Sequence, residues 1–219
     1  MNIELKWIAP EAERQMVEMA RVSSPRGDKT AEPEKLLRYC MKHGHWSIFE
    51  MASMCVTIQT SRAISAQILR HRSFSFQEFS QRYAEATDFE PFELRKQGKT
   101  NRQVGDEVFN PEISDGGHSA NEQIAKFLHE AKVLYSHLLE AGVARESARM
   151  ILPMCVSTTL HMTGTIRSWI HYLQARTYEG AQKEHRDIAL EIQEIFDAEL
   201  PAIAQALYHV EAPPEGGAK

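Results

Sequence analysis

The chain has 219 residues, 42% of them hydrophobic and 25% charged, with a formal net charge of −5. That length can bury a sizeable core without staples, and the balance argues against disordered, collagen-like and disulfide-rich chains. A mildly acidic protein is also a poor general nucleic-acid binder, because neutralising phosphates takes clustered positive charge.

In chain order, residues 1–10 lack the apolar core of a signal peptide. No apolar run reaches the roughly 18 residues of a membrane helix. The expected setting is the cytoplasm, with no membrane partner. Residues 10–21 predict a helix with Pro10 at its start and Met16, Val17 and Ala20 on one side. Residues 23–33 read as a loop. Residues 34–43 predict a second helix, stopped by Gly44. Residues 51–60 alternate: Ala52, Met54, Val56 and Ile58 face one way, Ser53, Cys55, Thr57 and Gln59 the other. That is the pattern of a half-buried strand. Residues 62–70 return to helical spacing, with Ile64 and Ile68 four apart.

Residues 87–118 hold Pro91, Gly98, Gly105, Pro111, Gly116 and Gly117 among many charges, without sustained periodicity. They read as a long surface excursion. Ser119 and Glu122 form a capping-box pattern that opens a helix. Its apolar stripe is Ile124, Phe127, Leu128, Ala131, Leu134, Tyr135 and Leu138, and Gly142 ends it. A short helix over 145–152 stops at Pro153. Residues 156–165 read as extended, with Val156, Thr158, Leu160 and Met162 on one face. Ile166, Trp169, Ile170 and Leu173 mark the next helix. Residues 181–198 form a long amphipathic one, with Ile188, Ile192, Ile195 and Phe196 inward. The tail over 211–219 is expected to fray. The mixture predicts an α+β fold, helix-dominated, in one domain across 1–219.

Cys40, Cys55 and Cys155 are odd in number, far apart and without paired metal spacing, which predicts free buried thiols. His43 and His45, two apart, have no evident third ligand, so no metal is expected. The charge is uneven. Residues 61–82 set Arg62, Arg70, Arg72 and Arg82 against Glu78 alone, and residues 145–176 set Arg145, Arg149, Arg167 and Arg176 against Glu146 alone. Neither stretch contains lysine. Arginine without lysine suits a site that grips phosphate or a planar polar ring with a fixed fork of donors. Surface ion pairing gives the same composition.

The densest chemistry lies in Arg70-His71-Arg72-Ser73-Phe74-Ser75-Phe76-Gln77-Glu78-Phe79-Ser80-Gln81-Arg82. Hydroxyls and guanidiniums there suit phosphate, and the three phenylalanines suit either an apolar wall or plain core anchoring. The run Arg-His-Arg, two residues, Ser, four residues, Ser, one residue, Arg resembles the hallmark of the flavin-dependent thymidylate synthases. Three flanking segments resemble that family too: His43 to Glu50, Gly142 to Arg149 with Leu152-Pro153, and Leu173 to Arg176 followed by Ala181-Gln182.

The resemblance implies the family's own flavin-binding fold, in keeping with the lack of a Gly-x-Gly-x-x-Gly fingerprint. It implies transfer of a one-carbon unit from methylenetetrahydrofolate to dUMP, with hydride from FAD reduced by NADPH and no cysteine nucleophile. It implies a homotetramer with sites shared between subunits. For dUMP it implies Gln67, Ile68, Leu69, Arg70, Glu78, Phe79, Ser80, Gln81, Arg82, Arg149 and Arg176, with Arg176 set against the pyrimidine as the catalytic residue. For FAD it implies Ser47, Arg70, His71, Arg72, Glu78, Thr165, Ile166, Arg167 and His171. Many members have Asn at the position of Thr165 and His at that of Gly180. Two other readings of the arginines are an RNA- or nucleotide-binding module and a helical interaction protein with structural ion pairs. A yellow preparation with a flavin spectrum separates the first reading from both.

Overall fold

The protein is described here by a computed structural model covering residues 2–22, 33–86, 88–113 and 116–208, without the side chains of Asp106 and Tyr208. Residues 23–32 of the predicted loop over 23–33, Thr87 and the tail over 211–219 lie outside the described residues, and Pro33 opens a helix.

Strand β1, Asn2–Ile8, is not among the predicted elements, although Ile3, Leu5 and Ile8 pack toward the core. Helix α1, Ala12–Val22, starts two residues later than its pattern suggested and buries Ala12, Met16 and Val17. Helix α2 spans Pro33–Lys42. Gly44 ends it at φ +70, a left-handed conformation that glycine adopts without cost. A 3₁₀ turn, Trp46–Glu50, leads into β2, Ser53–Ser61. Glu50 ends this turn.

Helix α3, Arg62–Ile68, buries Ile64 and Ile68. Strand β3, Ser75–Glu78, lies inside the arginine-rich run. The excursion over 87–118 is more ordered than its sequence suggests. It contains an antiparallel hairpin of β4, Arg95–Gln97, and β5, Gly105–Val108. These strands are too short and too charged to leave a periodic signal.

Helix α4, Ala120–Glu140, carries the predicted capping box, and Gly142 follows it at φ +83. Its apolar stripe is only partly covered: Ala131 and Tyr135 are buried, but Phe127 and Leu134 are exposed. Among the described elements α4 packs mainly on α5, Arg145–Ala148, and on the 3₁₀ turn that follows it. Strand β6, Ser157–Thr165, runs into α6, Ile166–Arg176. Helices α7, Lys183–Glu199, and α8, Pro201–Tyr208, complete the described chain.

The main sheet has the order β1-β2-β6-β3, antiparallel throughout. The register places Met54 opposite Gly164, Val56 opposite Met162 and Ile58 opposite Leu160. These residues form the face that meets the helices. The other face carries Thr57 and His161, whose side chains pair at 2.9 Å. On that side of β2 Gln59 is exposed as the alternation predicts, but Cys55 and Thr57 are buried, contrary to it. One core joins the sheet to α1, α2, α6, α7 and α8. Trp169 is fully buried there and donates from its indole to the Met54 carbonyl at 3.0 Å.

Candidate active site

Helix α6 is the spine of the site. At its start, Thr165 Oγ1 accepts from the Ser168 amide at 3.3 Å and pairs with Ser168 Oγ at 3.1 Å. The hydroxyl thus caps its own helix. Ile166 is fully buried, so its side chain belongs to the core. Arg167 pairs with Glu50 on the 3₁₀ turn. The His171 ring packs on Trp46 with centroids 4.9 Å apart. Ser47 lies exposed on that same turn. Five residues expected at the flavin therefore share one end of the spine. Burial, and then Arg167, lower the His171 pKa, which favours the neutral ring.

From its first turn to its last, α6 also meets the first turn of the arginine-rich run. Ser168 Oγ donates to the Ser73 carbonyl at 3.2 Å and ties the run to the helix. Arg176 Nε donates to His71 Nε2 at 3.0 Å. The His71 ring stands edge-on to Tyr172 at 4.9 Å and to His185 at 6.0 Å. Tyr172 Oη and His185 Nε2 are 3.2 Å apart. Burial first, and then the Arg176 charge, lower the pKa of His71. The same causes, with His71 added, bring His185 down to about 4.

Arg70 and Arg72 are exposed, and no carboxylate among the described residues pairs with either. Gln67 donates to Gln182 Oε1 at 2.7 Å, while Ile68 is core and Leu69 is exposed. Beside Gly180, the Tyr178 ring takes the space that a β-carbon there would need.

The second half of the run leads elsewhere. Glu78 Oε2 accepts from Arg62 Nη1 at 2.7 Å. Its Oε1 accepts from Ser65 Oγ at 2.5 Å and from Thr158 Oγ1 at 3.0 Å. Arg62 Nη2 also donates to the Phe79 carbonyl at 2.6 Å. Ser80 Oγ accepts from the Arg82 amide at 3.4 Å. Gln81 is buried, and its Nε2 has no hydrogen-bond partner among the described residues. Arg82 pairs with Glu146 at 3.3 Å, and Arg149 Nε donates to the Glu146 carbonyl at 3.4 Å. Arg82 and Arg149 thus share one acidic neighbour. Phe74 is buried and Phe76 packs against the core, so two of the three phenylalanines are anchors.

The arginines fall into two patches that no contact among the described residues joins. Two clefts, of about 420 and 380 Å³, open beside residues 85–93, and Phe79 is the one expected site residue that lines either. Sequence reasoning missed Arg62, Tyr172 and His185. Arg62 stood in the lysine-free stretch, but nothing marked it as the partner of Glu78 across sixteen positions. All three cysteines are free, and burial raises each thiol above its usual value, against a resting thiolate nucleophile.

The family model described as thymidylate synthase complementing protein matches residues 4–202. A flavin-dependent thymidylate synthase of Synechocystis sp. is 47% identical over 86% of both chains. A probable flavin-dependent thymidylate synthase of Paramecium bursaria Chlorella virus 1 is 48% identical over 90% of both. Among solved structures, a UMP/dUMP methylase of Streptomyces cacaoi bound with 5-Br dUMP superposes with a TM-score of 0.80. It is 26% identical and covers 94% of each chain.

Proposed function

The chain belongs to the flavin-dependent thymidylate synthases, and we propose that it converts dUMP to dTMP in the cytoplasm, with methylenetetrahydrofolate as one-carbon donor, NADPH as reductant and FAD as bound cofactor. The observation that carries this reading is the gathering of His71 and Ser73, from the first turn of the run over 70–82, with Arg167 and Arg176 along one helix.

The donor set fits the cofactor. A diphosphate presents only acceptors, and Arg70, Arg72, Arg167 and the Ser47 hydroxyl present donors at or beside α6. When bound and reduced, FAD would supply the hydride that turns the transferred methylene into a methyl group. The chain's own residues bind and polarise. The uracil ring becomes nucleophilic at C5 as negative charge develops on its N3 and carbonyl edge. Arg176, fixed through Nε, keeps its two terminal nitrogens for that edge and stabilises the charge. Arg82 and Arg149 supply donors for the monophosphate.

The two patches support a site completed by a second subunit of a homotetramer. One protomer brings Gln67, Arg70 and Arg176 to a dUMP whose phosphate meets Ser80, Arg82 and Arg149 of its neighbour. The exposed apolar residues Phe127, Leu134, Met150 and Met154 supply surface for such contacts. No helix among the described residues is long and apolar enough to cross a membrane.

The purified protein is expected to be yellow, to release FAD on denaturation, and to form dTMP only when dUMP, methylenetetrahydrofolate and NADPH are all supplied. A colourless protein with steeply salt-dependent RNA binding, or one with no nucleotide affinity, would refute the reading.

A further inference from the structure

We propose that His71 is the positioning residue that aims Arg176, with Tyr172 and His185 bracing the imidazole from behind. The proposal rests on the dTMP-forming reading above and adds to it a role for three side chains of the chain itself.

An arginine Nε–H can only donate, so His71 Nε2, 3.0 Å away, must be the bare nitrogen. The ring is then neutral, with its proton on Nδ1. A flexible guanidinium at a helix end gains a fixed axis from this one bond, because Nε is the atom closest to the stem. The two terminal nitrogens stay free. The acceptor is itself held. Tyr172 is 1% exposed and His185 is fully buried. Their ring edges wall His71 from α6 and α7, and the Tyr172–His185 pair locks the two walls together. The titratable and charged groups facing His71 are Arg176 and Tyr172 from α6 and His185 from α7. None is a carboxylate, so nothing there favours the imidazolium. Protonation would replace the accepted bond with two cations in contact, and Arg176 would swing away.

The test is a double-mutant cycle on the holoenzyme, read as tritium release from C5-labelled dUMP. His71→Ala is expected to slow release about ten- to a hundredfold, the scale of a roughly 1 Å misplacement. In the Arg176→Ala background the same change is expected to cost less than about twofold, since the residue it aims is gone. His71→Gln, whose Oε1 can still accept from Nε–H, is expected to recover most of the rate. Wild-type release should be full above the His71 pKa and fall as pH drops through it. That pKa lies below the ordinary 6.5, and the His71→Gln enzyme should lack this acid limb. Equal losses in both backgrounds, or an acid limb that survives in the His71→Gln variant, would overturn the proposal.

A nitrogen-15 spectrum of the histidine rings reads the geometry without turnover. Nε2 of His71 should be bare in the wild type and lose its preference in Arg176→Ala. Absence of tritium release from the wild type would refute the functional reading, whereas a protonated Nε2 would refute the positioning role by itself.

Discussion

Arg176→Ala is expected to slow tritium release from C5-labelled dUMP about a hundred- to a thousandfold. The reason is electrostatic. Charge appears on the uracil edge only as C5 becomes nucleophilic, so a donor aimed there acts on the transition state more than on bound dUMP. Removing one such preorganised donor costs about 2.7–4 kcal/mol in comparable oxyanion sites. Arg176 comes preorganised: it sits at the last turn of α6, and His71 holds its Nε. Flavin reduction by NADPH under anaerobic conditions should persist, because that half-reaction needs no charged uracil. Arg176→Lys should recover little, since an ammonium offers neither the Nε bond to His71 nor a planar fork. Near-normal tritium release from the alanine variant would refute the assignment. Loss of the flavin itself would make Arg176 a cofactor or folding residue.

The second large effect is on stability. Glu78→Ala is expected to destabilise the fold by about 2–4 kcal/mol. The Glu78 side chain is 15% exposed and its Arg62 partner 24%. Removing one partner of a buried pair costs about 3–5 kcal/mol because the other charge stays behind. Partial exposure brings that figure down. Three donors lose their acceptor together: Arg62 Nη1, Ser65 Oγ and Thr158 Oγ1. Arg62 Nε already has no hydrogen-bond partner among the described residues. The carboxylate that joins β3 to α3 and β6 is thus occupied from within. A lower unfolding midpoint in urea, with dUMP affinity preserved where the variant stays folded, is the expected result. Unchanged stability with lost dUMP binding would assign Glu78 to the ligand.

Helices whose apolar spacing matched their burial were legible in the sequence. Ile166, Trp169, Ile170 and Leu173 repeat at helical spacing, and all four are buried in α6. The capping box at Ser119 and the glycines at 44 and 142 marked helix ends by local chemistry, and such signals need no tertiary context. Strand β3 was not legible. Its four residues lie inside a run whose residue types speak of ligands, and what makes them a strand is pairing with β6, more than eighty residues on. The stripe of α4 was legible as apolar, but not which of its residues are covered, because spacing reports a face and not its partner.

The same limit governs the site. Residue types and the long motif pointed to arginines and a histidine. That Arg176 meets His71, or Arg167 meets Glu50, is set by how α6 folds back on the sheet. Their separations of 105 and 117 positions leave no local trace.

Subunit mixing tests the shared site most directly. Arg82→Ala and Arg176→Ala each disable one patch, so each homo-oligomer should form dTMP at a small fraction of the wild-type rate. Co-expressed chains that assort at random should place an intact Arg82 opposite an intact Arg176 in roughly a quarter of the sites of a symmetric oligomer. With shared sites, the mixed preparation is expected to recover up to about that share of wild-type dTMP formation. Mixed oligomers no more active than either parent, or a monomer by light scattering that still forms dTMP, would contradict a site built from two subunits.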